Sequence, residues 1–116
     1  MSRRDTLLLL NDMLQSAKKI KQYTTGFDFQ VFISDDKTID AVVRNFEIIG
    51  EAANRIDPDF KNNHPEIEWR RIKGFRNRIV HDYFGIDYGI VWDIIDSYLD
   101  NLIENLQEII DKLNAT

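Results

Sequence analysis

Apolar residues in this chain recur 3, 4 and 7 positions apart, in long stretches between few breakers, and that spacing constrains its fold more than any other feature. A strand puts alternate residues on one face, whereas a helix gathers every third and fourth. The only prolines are Pro58 and Pro65, and glycine stands only at positions 26, 50, 74, 85 and 89. The first helix is predicted over about residues 4–24, with Leu7, Leu10, Leu14, Ala17 and Ile20 on one stripe and Thr24, Thr25 and Gly26 as its stop. A short helical piece is expected in "FDFQVFIS". Ser34 or Asp35 can then cap a helix reaching Ile56. On it Ile39, Val42, Val43, Phe46, Ile49 and Ala53 form a core face, opposite a charge ladder of Arg44, Glu47, Glu51 and Arg55.

"DPDFKNNHPEIEW" reads as a turn-rich connector, with His64 on a loop surface. A fourth helix is predicted from about residue 68 through 83, and Gly85 and Asp87 punctuate the chain after it. The last helix, about residues 88–113, carries two seams. Val91, Ile95, Tyr98, Leu102, Leu106, Ile109 and Leu113 form one, and Trp92, Leu99, Ile103 and Ile110 the other, so it packs against more than one neighbour. Trp69 and Trp92 are expected in the core or its seams and not as a base-stacking platform. The predicted architecture is all-α, an up-and-down bundle of four or five helices forming one domain over residues 1–116.

Composition narrows the function. With no cysteine, the chain has neither a disulfide framework nor a thiolate metal site. Glu47 and Glu51 are four apart, but no Glu-x-x-His pair accompanies them as a di-iron bundle requires. The net charge of -5 argues against holding nucleic acid by bulk electrostatics, so any such contact needs a local basic patch. Near the start, Asn11 and Asp12 interrupt the leucine run well short of an export segment. No stretch approaches the roughly 20 apolar residues of a membrane span. A cytoplasmic protein is expected.

The chemistry concentrates in "RNRIVHDY", residues 76–83. On a helical wheel Ile72, Phe75 and Ile79 define a buried face, and His81 points away from it on a stripe with Arg70, Gly74 and Asn77. Asn77, four residues before His81, is within reach to orient the imidazole, and Gly74 lets another backbone come close. From Arg70 to Arg78 there are five cations, Arg70, Arg71, Lys73, Arg76 and Arg78, and no acid. Clustered guanidinium groups suit phosphate, although a basic run is also the ordinary solvated face of a helix. An imidazole titrating near neutrality beside a permanent cation can move a proton and stabilise a developing phosphorane. RNA supplies its own nucleophile in the 2′-hydroxyl, so no metal and no cofactor is called for. One histidine cannot easily be both base and acid at one bond, but two copies across a symmetric interface can.

Arg76, four residues, His81, one residue and Tyr83 resemble the R-x4-H-x-Y motif of HEPN-domain toxins of the HepT type. The flanking blocks "NDMLQSAKKIKQYTTG", "DAVVRNFEIIGEAANRI" and "HPEIEWRRIKGFRNRIVHDYFGIDYGIVWDII" are similar to family segments in the same order. The resemblance implies an all-α homodimer and a metal-independent endoribonuclease, the toxin component of a type VII toxin–antitoxin system. Arg76 would stabilise the phosphate and His81 would act in acid/base catalysis. Asn77 would support the site, and the basic run itself adds Arg78, Arg70 and Lys73 as supporting or RNA-binding residues. The implied partner is a minimal nucleotidyltransferase antitoxin of the MntA type, which would attach AMP to Tyr83. The alternative is a catalytically silent HEPN module that binds the nucleotidyltransferase and is modified by it. Glu68 stands where the family often has proline, and Phe75 where it often has methionine.

Overall fold

The computed structural model describes residues 1–75, the backbone of 80–81, and residues 85–115. Helix α1 (Arg3–Thr24) begins where the Ser2 side chain accepts a hydrogen bond from the Asp5 amide at 3.1 Å. Helix α2 (Phe29–Ile33) is the short piece expected after Gly26. Helix α3 (Asp36–Arg55) is capped by Asp35, whose Oδ1 accepts from the Thr38 amide at 3.0 Å. Each cap supplies a partner for an amide that the first helical turn leaves unpaired.

Helix α4 (Pro58–Asn62) lies in the segment expected to be a turn-rich connector. Its start signals are Asp57, which accepts from the Asp59 amide, and Pro58 in the first turn, where a missing N–H costs nothing. His64 lies on the loop after α4, as expected, and is half-buried. Its ring stacks on Phe60 at 4.2 Å, and its Nδ1 lies 3.0 Å from a Glu66 carboxylate oxygen.

Helix α5 (Trp69–Lys73) is shorter than the helix predicted over 68–83. Gly74 closes its turn, and residues 80–81 are extended, so the helical reading fails there. Strand β1 (Val80–His81) pairs antiparallel with β2 (Gly85–Ile86), Val80 opposite Ile86 and His81 opposite Gly85. Two local features favour this outcome. Five cations without an acid repel one another when crowded into a continuous helix, and the Ile79-Val80 pair is β-branched. Gly85 has φ of 76°, a conformation that glycine adopts without strain. The wheel that set His81 on a stripe with Arg70, Gly74 and Asn77 therefore does not apply at 80–81.

The predicted last helix is two. Helix α6 (Tyr88–Ser97) is capped by Asp87, and helix α7 (Leu99–Asn114) follows directly. Between them Tyr98 departs from helical geometry at φ -127°, ψ -32°. No glycine or proline marks this break, which coincides with a buried ring contacting Arg71 of α5.

The result is an all-α bundle. Helix α1 packs against α3 and α7, α3 also receives α2 and α5, and α6 packs against α2 and α7. Leu10, Met13 and Ile20 from α1, Phe46 and Ile49 from α3, Ile72 from α5 and Leu106 from α7 are fully buried in one core. Trp69 and Trp92 sit at its edges, Trp92 against Phe32 at 5.3 Å. An ion pair between Lys21 and Asp100 joins α1 to α7 at the surface. Of the expected charge ladder, Arg44 pairs with Glu47 at 3.6 Å, and among the described residues Glu51 and Arg55 form no ion pair. Among the described residues no helix is long and apolar enough to cross a membrane.

Candidate functional site

Two features bring α5 against the core. On its inner side Ile72 is fully buried, and its carbonyl lies 3.6 Å from where a Cβ on Gly50 of α3 would stand. A close helix approach within this chain thus occurs at Gly50. Among the described residues, a Cβ at Gly74 would meet the Arg70 and Arg71 carbonyls of its own turn. Just past α5, Phe75 is 1% exposed, edge-on to Phe46 at 5.3 Å and to Tyr98 at 6.2 Å. It fixes the chain immediately before Arg76.

The cations of α5 divide by direction. Arg71 turns inward, its guanidinium 4.2 Å from the centre of the Tyr98 ring and its Nη1 3.4 Å from Glu68 Oε2. Burial, then the Glu68 carboxylate, pushes the Tyr98 phenol above its usual 10.0, against a backbone hydrogen bond at Glu68 and the Arg71 charge. Arg70 and Lys73, three apart, instead line a surface cleft of about 410 Å³. Its other walls are Ala53 and Asn54 at the end of α3, Pro58, Lys61 and Asn62 of α4, and Trp69. Lys61 is the cation that the sequence did not single out. Its Nζ donates to the Ala53 carbonyl at 3.1 Å, which holds the ammonium at the cleft wall. Trp69 Nε1 donates to the His64 carbonyl at 2.9 Å, fixing the indole.

Glu66 stands beside this region. Burial opposes its ionisation, but a backbone hydrogen bond, the bond to His64 and the charges of His64 and Lys112 outweigh it, so its carboxyl stays below the ordinary 4.5. Among the described residues no three His, Asp or Glu side chains converge as a metal site would require.

Of the sequence-predicted site residues, Arg70 and Lys73 share the cleft. Arg76, Asn77, Arg78 and Tyr83 lie outside the described residues, as does the side chain of His81. The backbone of His81 lies in β1, seven residues beyond Gly74.

A family model for HepT-like ribonucleases matches residues 13–109, a span that contains the cleft, Phe75 and all of "RNRIVHDY". The chain belongs to this family. Relatives agree along nearly its full length. It is 38% identical over 115 residues to a protein of Methanocaldococcus jannaschii named "Putative RNase", covering 99% of this chain and 95% of that one. It is 42% identical over 83 residues to the "Probable ribonuclease HepT" of Thermococcus cleftensis, covering 72% and 76% of the two chains. A "Putative RNase" of Caldanaerobacter subterraneus is 33% identical over 103 residues, covering 89% and 92%. No solved structure matches the chain significantly. The HepT-like match gives the all-α architecture a functional context that geometry alone does not.

Proposed function

We propose that this HepT-like chain is the toxin of a type VII toxin–antitoxin system, a metal-independent endoribonuclease acting as a homodimer in the cytoplasm. What carries the reading is the Arg76, His81, Tyr83 spacing inside the matched span 13–109. The basic cleft supports it, since its lining residues Arg70 and Lys73 stand six and three positions before Arg76 in the sequence. In the reaction, His81 of one protomer takes the proton from the RNA 2′-hydroxyl as O2′ attacks the adjacent phosphorus. The P–O5′ bond breaks, and the second protomer's copy of the histidine returns a proton to O5′. Arg76 stabilises the charge that builds on the phosphoryl oxygens, and Asn77 and Arg78 support the site. The products are a 2′,3′-cyclic phosphate and a 5′-hydroxyl, so atoms and protons balance without a cofactor.

Silencing is assigned to an MntA-type nucleotidyltransferase, which transfers AMP to Tyr83. Each AMP adds a bulky anion two residues from His81, filling the site and offsetting the Arg76 charge.

The test is cleavage of RNA in EDTA by the purified protein beside His81→Ala and Arg76→Ala. The expected result is turnover by the wild type and a loss of at least 100-fold, the order of a missing acid/base group, in His81→Ala. Equal cleavage by wild type and His81→Ala would overturn the catalytic assignment. No cleavage by any of the three would make the chain a binding module for the nucleotidyltransferase.

A further inference from the structure

The cleft walled by α3, α4 and α5 has properties that the proposed reaction does not use. Its volume, about 410 Å³, falls within the roughly 300–1,000 Å³ of ligand sites. Three of its described lining residues are cations, Lys61, Arg70 and Lys73, and none is an acid, in a chain where 20 acidic residues outnumber 15 basic ones. Among the described residues, neither Arg70 nor Lys73 is paired with a carboxylate. Lys61 spends one of its three N–H donors on the Ala53 carbonyl, which leaves two. The Lys61 charge is therefore held at the wall, and the charge of the cleft is only partly satisfied from within.

The remaining lining matches the rest of a nucleotide. Trp69 has its only polar atom engaged with the His64 carbonyl, so what it offers the cleft is ring surface. Asn54 and Asn62 are exposed and present amides, which both donate and accept. Clustered cations, an aromatic face and amides together fit single-stranded nucleic acid, which is gripped by its phosphates and stacked through its bases. An acidic protein face would satisfy the cations, but stacked bases would also use the part of the Trp69 ring that its packing against the core leaves to the cleft. Lys73 is only three residues from Arg76, so a strand lying in the cleft can continue toward the motif segment.

We infer that this cleft is a second RNA subsite, which binds one or two phosphates and a base of single-stranded RNA on one side of the scissile bond. The inference rests on the ribonuclease reading for its ligand, and it assigns to Lys61, Arg70, Lys73 and Trp69 a role in holding substrate, not in chemistry.

Binding, not cleavage, tests it. The full chain is titrated with a fluorescent 2′-O-methyl oligonucleotide, which cannot be cleaved, at several salt concentrations. The same titration follows for Lys61→Gln/Arg70→Gln/Lys73→Gln and for a control, Lys18→Gln/Lys19→Gln/Lys37→Gln, which has the same net charge and alters exposed cations outside the cleft. Circular dichroism confirms that both variants are folded. The cleft variant should bind at least 30-fold more weakly at low salt. Its plot of log affinity against log salt should be shallower by about 0.7–1.4, since each phosphate contact on a single strand contributes about 0.7. The control should match the wild type, and Trp69→Leu should weaken binding several-fold without changing the slope, as loss of stacking does.

Wild-type affinity and slope in the cleft variant would overturn the subsite alone and leave the ribonuclease reading intact. Failure of the wild type to bind any RNA would overturn both. Unchanged RNA affinity with loss of co-purification with a co-expressed nucleotidyltransferase would assign the cleft to an acidic protein surface.

Discussion

Replacing Phe75 with alanine should unfold much of what positions the motif segment, and the size of the effect follows from the packing. Phe75 is 1% exposed and lies between two rings, Phe46 at 5.3 Å and Tyr98 at 6.2 Å, both meeting it edge-on. Truncating a fully buried phenylalanine costs about 3–5 kcal/mol, counting the lost transfer energy and the cavity left behind. Domains of this kind have a total stability of roughly 5–15 kcal/mol, so Phe75→Ala removes a large share of it. Phe75→Leu keeps most of the apolar volume but forfeits two ring pairs at about 0.5–1.5 kcal/mol each, for a cost of about 1–3 kcal/mol. Urea unfolding monitored by tryptophan fluorescence separates the two. With a slope of about 2 kcal/mol per molar, the alanine midpoint falls by about 2 M and the leucine midpoint by about 1 M. A loss below about 1 kcal/mol in Phe75→Ala would mean that the ring does not occupy a close-packed site. Equal losses in the two variants would remove the ring pairs from the account.

Three further perturbations read other parts of the structure. Asp35→Ala removes the acceptor for the Thr38 amide at the start of α3 and should cost about 1 kcal/mol, measured by the same urea titration; no change would mean the cap is not formed in solution. Gly50→Ala adds a Cβ at ordinary contact distance from the Ile72 carbonyl, 3.6 Å, in the interior of a helix, so it should stabilise by up to about 1 kcal/mol, whereas a loss would show α3 and α5 packed more tightly than this. Tyr98 has a raised pKa in the folded state, so the unfolded chain ionises first and stability is lost as pH rises above about 10. That alkaline loss should be smaller in Tyr98→Phe, and an identical profile in both proteins would show that another group is responsible.

Where local signals and packing agree, the sequence was enough. The stripe from Leu10 to Ile20 and the Asp35 cap define α1 and α3 as predicted, because periodicity and capping point the same way. The reading went astray where tertiary contacts or local charge decide the outcome. The apolar period runs straight through Tyr98, yet the helix breaks there, at a ring pinned by Arg71 and Phe75 from another element. The same period continues past Phe75, but residues 80–81 pair with Gly85 and Ile86 instead of completing a helix. Asp57-Pro58 was a helix start hidden by its turn-like composition. Of the site, the basic run was legible and Lys61 was not. It sits a dozen residues upstream of Lys73, on a different helix, and only folding brings the two together.

The five-cation run that stood out in the sequence is not a single patch, and its division bears on how the site is built. Arg71 is held by Tyr98 and Glu68, and among the described residues its buried Nε has no hydrogen-bond partner. A desolvated cation–π contact contributes about 2 kcal/mol, while an unpaired buried donor costs about 1–3 kcal/mol, so the two nearly cancel. Arg71 therefore adds little net stability, but its three-way contact sets the rotation of α5 relative to the α6–α7 junction. With α5 fixed that way, Arg70 and Lys73 must face the cleft, where Lys61 from α4 joins them. Arg71→Met would test the division. If Arg71 sets orientation, the variant keeps its urea midpoint within about 0.5 M of wild type, yet binds RNA with a shallower salt dependence, because Arg70 and Lys73 no longer hold their positions. Loss of stability with unchanged RNA binding would make Arg71 a core residue and nothing more.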